Sequence, residues 1–378
     1  MTRFPRNEII SLVGEAPRYD LAESVGPDLR LRELVDWSGE PGLGGIALGY
    51  RTAAGDPALR GRIAHAHGVN ADDDVVTVGG MHALFLLSFI LCERGNEAVT
   101  TAPLFPLARN SLECVGAQVR ALPLSFDRAY QPDLEDLRAL LSPRTKLVSV
   151  ASPQNPSGVA LRRETLREIL SLVEVHAPDA WLLVDETYRE AAVGNDPIAE
   201  SAVTLGSRVI SMASLSKCHG APGLRLGWAI TGDAALREEL VLGKFNTVVS
   251  NSAIDEALAL KVFENRERIL GERRRHLSEG LRRTEAWVRE HRSFVDWVRP
   301  DAGTMCCVRL KPSRFDDAAV MRFHACLKSE GVRVGDGTWF GDEARVFRLG
   351  FGALPMADLE AGLAALARAL RQAEREAA

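Results

Sequence analysis

One lysine of the sequence lies in a segment where a structural lysine is not expected. Lys217 follows the apolar run RVISMA within ASLSKCHGAPGLRLGWAI, among small and hydroxyl residues, with Gly220, Gly223 and Arg225 close behind it. A structural lysine normally lies on a solvated face among other charges. A desolvated amine, in contrast, is a nucleophile that forms a Schiff base with a carbonyl compound. This segment therefore indicates an amine that is used in chemistry.

Two further polar segments follow apolar runs of the same kind. SPQNPSG, which contains Asn155, follows TKLVSVAS, and DETY, which contains Asp185 and Tyr188, follows WLLV. In open α/β sheets the ligand binds at the carboxyl ends of the parallel strands. We therefore expect Asn155, Asp185 and Lys217 to converge on one crevice, where they supply an amide, a carboxylate and an amine.

These groups match the needs of pyridoxal 5′-phosphate (PLP), an electron-accepting cofactor that bonds to a lysine and is opposed by an acidic residue. A carboxylate pairs with the protonated pyridine nitrogen, while an amide and a tyrosine hydroxyl hold the phenolate oxygen. Hydroxyl groups, N–H groups at a helix N-terminus and an arginine hold the phosphate. The chemistry of the three segments therefore predicts PLP as the cofactor.

The elements that must position these residues alternate along the middle of the chain. Short runs rich in Val, Leu and Ile are joined by amphipathic helices, which is typical of a parallel sheet covered on both faces. Long helices are predicted over 233–245 and 252–292, and the last 85 or so residues mix strands with helices. The predicted fold class is α/β, with a large domain over 46–290 whose mostly parallel sheet lies between helices. Residues 1–45 and 291–378 are expected to form a small α+β domain.

Composition limits the possible partners and cell compartments. The 378 residues carry a formal net charge of −5, which argues against nucleic acid as the main partner. No apolar stretch approaches the roughly 18 to 20 residues of a membrane span, and no secretory signal is evident. The six scattered cysteines lack a CxxC pair and predict neither a metal site nor disulfides. We expect a cytoplasmic protein that does not bind a membrane.

The lysine segment also resembles a motif of the fold-type I PLP-dependent enzymes, specifically the class I/II aminotransferase family. SLSKCHGAPGLRLG fits the family pattern S-x-S-K-x-x-G-x-x-G-x-R-x-G at every fixed position, and further motifs occur in family order over about 44–351. The resemblance implies the PLP transferase fold of type I. It also implies that Lys217 bonds covalently to PLP and that Ser214 and Arg225 bind the phosphate.

Two of the family motifs surround the pyridine ring. SPQNPSG resembles S-P-x-N-P-[ST]-G, which implies that Asn155 binds the cofactor O3′ atom and lies within reach of the substrate. VDETY resembles the D-E-x-Y motif, which implies that Asp185 meets the pyridine nitrogen and Tyr188 the O3′ atom. The resemblance thus makes Lys217, Asp185 and Tyr188 the catalytic residues.

The remaining motifs lie nearer the ends of the matched region. GGMHAL resembles a helix start whose Gly80 and Met81 amides bind the phosphate, and PLFP implies that Phe105 stacks on the pyridine ring. YRTAAGDPALRGRIA implies that Tyr50 reaches the phosphate of a neighbouring subunit, so a homodimer is expected. VFRLGFG implies that Arg348 binds the α-carboxylate of the substrate.

Each motif alone also has an ordinary structural interpretation. A Ser-Leu-Ser-Lys turn can hold a solvated lysine, NPSG is a common turn, and DETY can cap a helix. Phe105 can pack in the core, Arg348 can be an edge-strand charge, and Tyr50 can pack over the core from a loop. The occurrence of all the motifs in family order favours the functional interpretation.

Three residues depart from the family pattern or invite a second role. His82 either contacts the substrate or bonds to the backbone on a helix face. Gln154 acts on the cofactor or on side-chain recognition. His219 is a candidate base two residues after Lys217, although the family uses the lysine itself to move the proton.

The resemblance implies an aminotransferase that moves an amino group between an amino acid and a 2-oxo acid. A rival within the fold is a PLP-dependent cyclase, lyase or oxidase of a natural-product pathway. The core LSKCHGAPGLRLGW is also similar to cyclases of the capreomycidine synthase type, which act on a hydroxylated arginine. Transcription regulators that use this fold as a sensor are disfavoured, because the resemblance begins within about 50 residues and leaves no room for a helix-turn-helix domain.

Overall fold

The computed structural model describes residues 8, 12, 16–34, 45–194 and 196–375. The segment SGEPGLGGIALGY is expected to line the side-chain pocket, and its first seven residues lie outside the described residues. The strands of the described part are β1 (Tyr19–Asp20), β2 (Asp74–Thr77), β3 (Glu97–Ala102), β4 (Gln118–Pro123), β5 (Thr145–Ala151), β6 (Trp181–Asp185), β7 (Val209–Ser214), β8 (Gly227–Thr231), β9 (Val295–Val298), β10 (Met305–Leu310), β11 (Val332–Arg333), β12 (Gly335–Asp336) and β13 (Val346–Gly350). The helices are α1 (Pro57–His67), α2 (Gly79–Leu91), α3 (Pro106–Cys114), α4 (Leu134–Leu140), α5 (Arg163–His176), α6 (Ala234–Val248), α7 (Ala253–Glu264), α8 (Arg266–Glu290), α9 (Asp317–Ser329) and α10 (Met356–Arg375).

Seven strands form the large sheet, in the order β2-β8-β7-β6-β5-β3-β4. All of them run parallel except β8, which is antiparallel to both β2 and β7. Residues 215–226 connect β7 to β8 and return the chain at the same edge of the sheet, whereas each parallel pair needs a crossover to the opposite edge. The predicted α/β class with a mostly parallel sheet is confirmed.

Both faces of this sheet are buried, which explains the continuously apolar strands. Leu183 of β6 packs in a core with α2 and α6, whereas its neighbours Leu182 and Val184 pack in a second core with α4 and α5. Successive side chains of a strand point to opposite faces, so a strand between two helix layers needs apolar residues at every position. The helix layers therefore fix the sheet from both sides.

A second, four-stranded sheet is antiparallel and has the order β12-β13-β10-β9. Its core includes Phe323 of α9 and Leu366 of α10, and α8 contributes Leu277, Leu281 and Trp287. β1 pairs with β11 in a separate two-stranded sheet, so residues near both ends of the chain pack together. The division into domains at residues 45/46 and 290/291 stays a prediction.

The described helices are those of a globular α/β protein. None of the helices in the described part of the chain combines the length and the apolar character that a membrane crossing requires. Two helices that flank the large sheet, α1 and α3, lie in segments where the sequence pattern predicts no helix.

Candidate active site

Three neighbouring strands deliver the predicted site residues to one edge of the large sheet. Ala151 at the end of β5 pairs with Asp185 at the end of β6, which pairs in turn with Met212 of β7. The Ser152 N–H donates a hydrogen bond of 2.9 Å to the Asp185 carbonyl. The loops that carry Asn155, Asp185 and Lys217 therefore leave the sheet side by side.

Lys217 lies in a partly buried position among charged groups. Its Nζ atom is 3.4 Å from the Ser24 Oγ atom. Burial, followed by the positive charge of Arg348, lowers the pKa of the Lys217 amine to about 8, while the charges of Glu23 and Asp185 act in the opposite direction. The neutral, nucleophilic amine is therefore available close to physiological pH.

Asp185 and Tyr188 frame the same crevice from the β6 loop. The Asp185 Oδ1 atom accepts a 3.0 Å hydrogen bond from the Thr187 N–H. Burial raises the pKa of the Asp185 carboxyl, although the Thr187 bonds and the Lys217 charge favour its ionised form. The buried Tyr188 hydroxyl donates to the Ser24 carbonyl at 3.2 Å, and burial raises the pKa of this hydroxyl. The loop thus supplies an acid and a neutral phenol.

Arg348 is a buried arginine at the heart of the crevice, with only 2% of its surface exposed. Its Nη1 atom donates to the Asn155 Oδ1 atom at 2.7 Å, and its Nη2 atom donates to the Ala22 carbonyl at 2.5 Å. The guanidinium carbon lies 4.6 Å from the centre of the Phe340 ring. β13 is flanked by β12 and β10, so the alternative of an edge-strand charge is wrong. The Nε atom has no partner among the described residues, and this donor can serve a carboxylate.

A glycine-lined cradle lies at the N-terminus of α2. A Cβ atom on Gly79, whose φ is +72°, would approach the Arg225 Nη2 atom to 2.5 Å, and one on Gly227 would approach the Gly80 nitrogen to 2.5 Å. A Cβ atom on Gly80 would lie 3.7 Å from that of Ser214. The first N–H groups of this 13-residue helix lack intrahelical partners. A hydroxyl, a guanidinium and free N–H groups around glycines fit a phosphate, so these residues fit PLP.

The other residues that are predicted to bind the cofactor differ in their burial. Met81 is the third residue of α2 and is partly buried. Phe105 is partly buried and immediately precedes α3. The Tyr50 side chain is 88% exposed. An exposed tyrosine is compatible with the predicted contact to a neighbouring subunit, which stays a prediction.

The three residues that the sequence left open make structural contacts. The His82 Nδ1 atom accepts from the Val78 N–H at 3.2 Å, and its Nε2 atom lies 3.0 Å from the Thr247 hydroxyl. The buried Gln154 donates to the Pro103 carbonyl at 3.0 Å. His219 is buried, with its Nε2 atom 3.2 Å from a Glu190 carboxylate oxygen. These contacts favour positioning of the surrounding loops for all three side chains.

Sequence reasoning missed the N-terminal segment that crosses the crevice. Ala22 and Ser24 contact Arg348, Tyr188 and Lys217, although they belong to no motif. Backbone carbonyls carry two of these contacts, and any residue supplies a carbonyl. The only signal in the sequence is the predicted packing of both chain ends together.

The family model described as aminotransferase class I and II matches residues 27–366, which include every predicted site residue. The chain belongs to this family. Its members are PLP-dependent, so the predicted cofactor and family are confirmed.

Individual relatives of the family include a cyclase and an aminotransferase. Capreomycidine synthase of Streptomyces vinaceus is 32% identical over 317 residues, which cover 84% of this chain and 79% of the relative. The crystal structure of a PLP-dependent aminotransferase from Streptococcus suis superposes with a TM-score of 0.88 at 25% identity and covers 98% of this chain and 99% of that chain. The crystal structure of the PLP-dependent cyclase OrfR superposes with a TM-score of 0.85 at 25% identity and covers 98% of both chains. The predicted type I fold is confirmed, and the chain is a PLP-dependent enzyme of the class I/II superfamily.

Proposed function

We propose that this enzyme removes the α-proton of a free amino acid and transfers the amino group to a 2-oxo acid. The observation that carries the proposal is the proximity of Lys217, whose pKa is about 8, to the buried Arg348. The charge of Arg348 is one cause of the low pKa of Lys217. An amine that is neutral near pH 8 can act as a base, and a buried guanidinium can hold a carboxylate. A substrate with an α-carboxylate beside its reacting carbon requires both groups.

Each residue has a role in this proposal. Lys217 would bond to the cofactor at rest, and after its release it would move the proton between the substrate α-carbon and the cofactor C4′ atom. PLP, when bound, supplies a ring that accepts the electrons of the α-carbon. Asp185 would keep the pyridine nitrogen protonated, and Asn155 and Tyr188 would hold the O3′ atom. Arg348, with Asn155 beside it, would bind the substrate carboxylate.

The remaining residues would hold the cofactor in register. Ser214, Arg225 and the Gly80 and Met81 amides would bind the phosphate, and Phe105 would stack on the ring. These assignments are supported by the cradle around Gly79 and by the motifs of the sequence. They would orient the cofactor, because its phosphate would be held at one end and its pyridine nitrogen would be paired with Asp185 at the other.

A homodimer is part of the proposal, because Tyr50 would bind the phosphate of the partner subunit. Tyr50 adjoins Arg51, whose N–H donates to the Ser250 hydroxyl in the connection between α6 and α7 at 3.4 Å. Large apolar side chains are exposed on these elements and on α2, which packs against α6. Such exposure in a soluble protein marks an interaction surface. We call this surface the apolar face; it comprises Leu48, Tyr50, Phe89, Leu242, Phe245, Val248, Val249 and Ile254.

A cyclase, lyase or oxidase is the second candidate, and similarity to capreomycidine synthase over 84% of this chain favours it. Both candidates share the loss of the α-proton, so the same residues serve both. They differ in the fate of the amino group. Amino transfer leaves that group on the cofactor, whereas cyclisation, elimination or oxidation returns the cofactor to its aldehyde form in each turnover.

A single-turnover experiment separates the two candidates. The PLP-loaded enzyme is mixed with a panel of amino acids in the absence of any 2-oxo acid, and the cofactor absorption is recorded. Amino transfer is expected to replace the band of the lysine-bound cofactor by that of the aminated cofactor. If arginine or a hydroxylated arginine is consumed over many turnovers while the original band persists, amino transfer is wrong.

The covalent assignment has its own control. Borohydride reduction should attach PLP to the peptide that contains Lys217, and Lys217→Ala should abolish this attachment. Lys244→Ala provides a comparison, since Lys244 also has a pKa lowered to about 8, chiefly by burial, but it lies on α6. Labelling of another lysine peptide would contradict the role of Lys217.

A further inference from the structure

The N-terminal segment beside the crevice is held by strands of both smaller sheets, β11 of the two-stranded sheet and β13 of the four-stranded sheet. The Leu21 N–H donates to the Arg333 carbonyl at 2.9 Å, and the Leu21 carbonyl accepts from the Gly350 N–H at 2.7 Å. A Cβ atom on Gly350 would approach the Glu23 carbonyl oxygen to 2.1 Å. The backbone around Glu23 therefore lies directly against β13, the strand that carries Arg348.

The two neighbours of Glu23 contact the proposed catalytic and substrate-binding groups. The Ala22 carbonyl accepts from Arg348, and Ser24 contacts the side chains of both Tyr188 and Lys217. Glu23 thus occupies the middle of a fixed three-residue stretch at the crevice. Its place is set by backbone contacts on both sides.

The Glu23 side chain is partly buried and has no assigned partner. Among the described residues it makes no hydrogen bond and no ion pair of less than 4.0 Å. Its charge nevertheless acts on two residues of the crevice, Lys217 and Arg348. Burial and the Arg348 charge lower the pKa of Lys217, and Glu23 is the leading group that opposes them. Burial also lowers the pKa of Arg348, and Tyr188 and then Glu23 oppose that effect.

When the proposed ligands are bound, every other charged group of the crevice has a partner of opposite charge, and Glu23 has none. Arg225 would pair with the phosphate, Asp185 with the pyridine nitrogen, and Arg348 with the substrate carboxylate. Arg333, a further cation on which the Glu23 charge acts, is already paired with an aspartate of β1. Glu23 then remains as a negative charge that is partly removed from water. Such a carboxylate repels an acidic side chain and gains nothing from an apolar one, whereas a cationic side chain pairs with it.

We infer that Glu23 selects the substrate side chain and that the selected group is cationic, a guanidinium or an ammonium. This inference rests on the proposed function, because it takes the ligand of Arg348 to be the α-carboxylate of an amino acid. It assigns specificity to a residue outside the family motifs. A change at this position can then alter the substrate without altering the residues that move the proton.

The test compares amino acids that match in shape and differ in charge. L-arginine is paired with L-citrulline, and L-lysine with L-norleucine, with L-alanine as a common reference. Dissociation constants are measured by spectrophotometric titration of the PLP-loaded enzyme and, independently of turnover, by calorimetry on the PLP-loaded Lys217→Ala variant, which lacks the proposed base. The wild-type enzyme should bind arginine about 10- to 100-fold more tightly than citrulline, as expected for a hydrogen bond to a charged group.

Variants of the segment assign this preference to one residue. Glu23→Gln should bring the arginine-to-citrulline ratio within about threefold of unity by weakening arginine alone, and Glu23→Asp should retain part of the preference. Asp28→Asn, at an exposed position of the same segment, should leave the ratio unchanged. Equal binding of arginine and citrulline by the wild-type enzyme would overturn the inference even if Glu23→Gln failed to fold.

The outcomes separate this inference from the proposed function. If alanine binds and reacts while arginine has no advantage over citrulline, the proposed function stands and the role of Glu23 is wrong. Equal weakening of alanine and arginine by Glu23→Gln also contradicts a specificity role. If no amino acid perturbs the bound cofactor, the proposed function itself fails.

Discussion

At the scale of single residues, the Lys217 amine loses its proton more readily than an ordinary lysine. Burial disfavours the ammonium form, and the nearby Arg348 guanidinium adds electrostatic repulsion. Both effects lower the pKa of the Lys217 amine, from the ordinary lysine value of 10.5 to about 8. In the cofactor-free protein the neutral amine therefore predominates above about pH 8, and the protonated amine below it.

We expect the rate at which the cofactor-free protein bonds PLP to rise with pH and to level off above about pH 8. The neutral amine is the nucleophile, so the rate follows its fraction. Arg348→Met should move the midpoint upward, because it removes the positive charge that most opposes protonation. Borohydride trapping at a series of pH values measures the rate. A midpoint near that of a free lysine in the wild-type protein would contradict this environment.

Arg348→Lys tests the proposed carboxylate site. A lysine cannot reproduce the planar pair of donors that now bond Asn155 and Ala22. Amino-acid binding should weaken about 10-fold or more, the size of one hydrogen bond to a charged group at about 1.5–3 kcal/mol. Amines that lack a carboxylate should bind as before. Equal losses for amino acids and simple amines would make Arg348 a structural residue.

At the scale of secondary structure, the strands of the large sheet could be predicted from the sequence, because burial on both faces makes them continuously apolar. The helices α1 and α3 were missed because Pro57 and Pro106 begin segments that read as turns, although proline is well suited to a first helical turn. The direction of β8 could not be predicted from the sequence either, since a buried strand shows the same apolar pattern whether it runs parallel or antiparallel to its neighbours. Elements with a period in the sequence were predictable, and their orientation was not.

The site residues also divide into those that a local sequence pattern reveals and those that it does not. Asp185 ends its strand, and Lys217 and Asn155 follow the ends of theirs, so the sequence alone predicts that the three residues lie close together. Ala22 and Ser24 act largely through carbonyl oxygens, which carry no residue preference. The contacts of Gln154 and His219 depend on packing between distant segments. Local patterns reveal strand ends, whereas partners that are far apart in the sequence leave no local trace.

One buried ionic group joins several of these elements behind the crevice. The Glu190 carboxylate contacts Arg266 at the start of α8 and lies 3.2 Å from the His219 Nε2 atom in the turn after β7. Burial raises the pKa of Glu190, but the contact with His219 and the positive charge of Arg266 outweigh burial, so the pKa of Glu190 lies below its usual value. Its ionised form therefore stabilises the fold above about pH 4.5, and this contribution is lost as the pH falls.

Glu190→Gln should lower the free energy of unfolding by about 3 kcal/mol, because it removes the buried partner of Arg266 and leaves that guanidinium only an exposed carboxylate. Urea denaturation at pH 7 measures the loss, which should shrink in acid, where the wild-type carboxylate becomes protonated. Glu279→Gln is the control: Glu279 pairs with Arg282 and Arg283 on the solvated side of α8, so little change is expected. Equal effects of the two substitutions would exclude a special role for the buried pair.

At the scale of the whole molecule, the apolar face concerns assembly. Within it, Phe245 is 53% exposed and Tyr50 is 88% exposed. A partner subunit that covers this face would remove apolar surface from water and bring its own Tyr50 to the cofactor. Assembly and cofactor binding would then be coupled, because the proposed dimer would bind PLP more tightly than the monomer.

Phe245→Glu should convert the dimer to a monomer and weaken PLP binding, since a buried carboxylate would oppose association. Sedimentation at micromolar concentration measures the oligomer, and titration with PLP measures the affinity. Met321→Glu is the control, because Met321 is 70% exposed on α9, outside the apolar face. Tyr50→Phe should keep the dimer and weaken PLP binding about 10-fold. A monomeric wild-type protein would contradict the assembly.

The hydrogen bond between Arg348 and the Ala22 carbonyl spans 326 positions of the sequence. Chains are synthesised from the N-terminus, so on the ribosome the strands around Lys217 are complete long before Arg348 exists. A nascent or truncated chain can therefore assemble the cradle for the cofactor while the crevice still lacks its carboxylate receptor. Closing so long a loop also comes late in refolding. Catalytic competence should thus return after the helical signal, which makes activity a reporter of the last long-range contact to form.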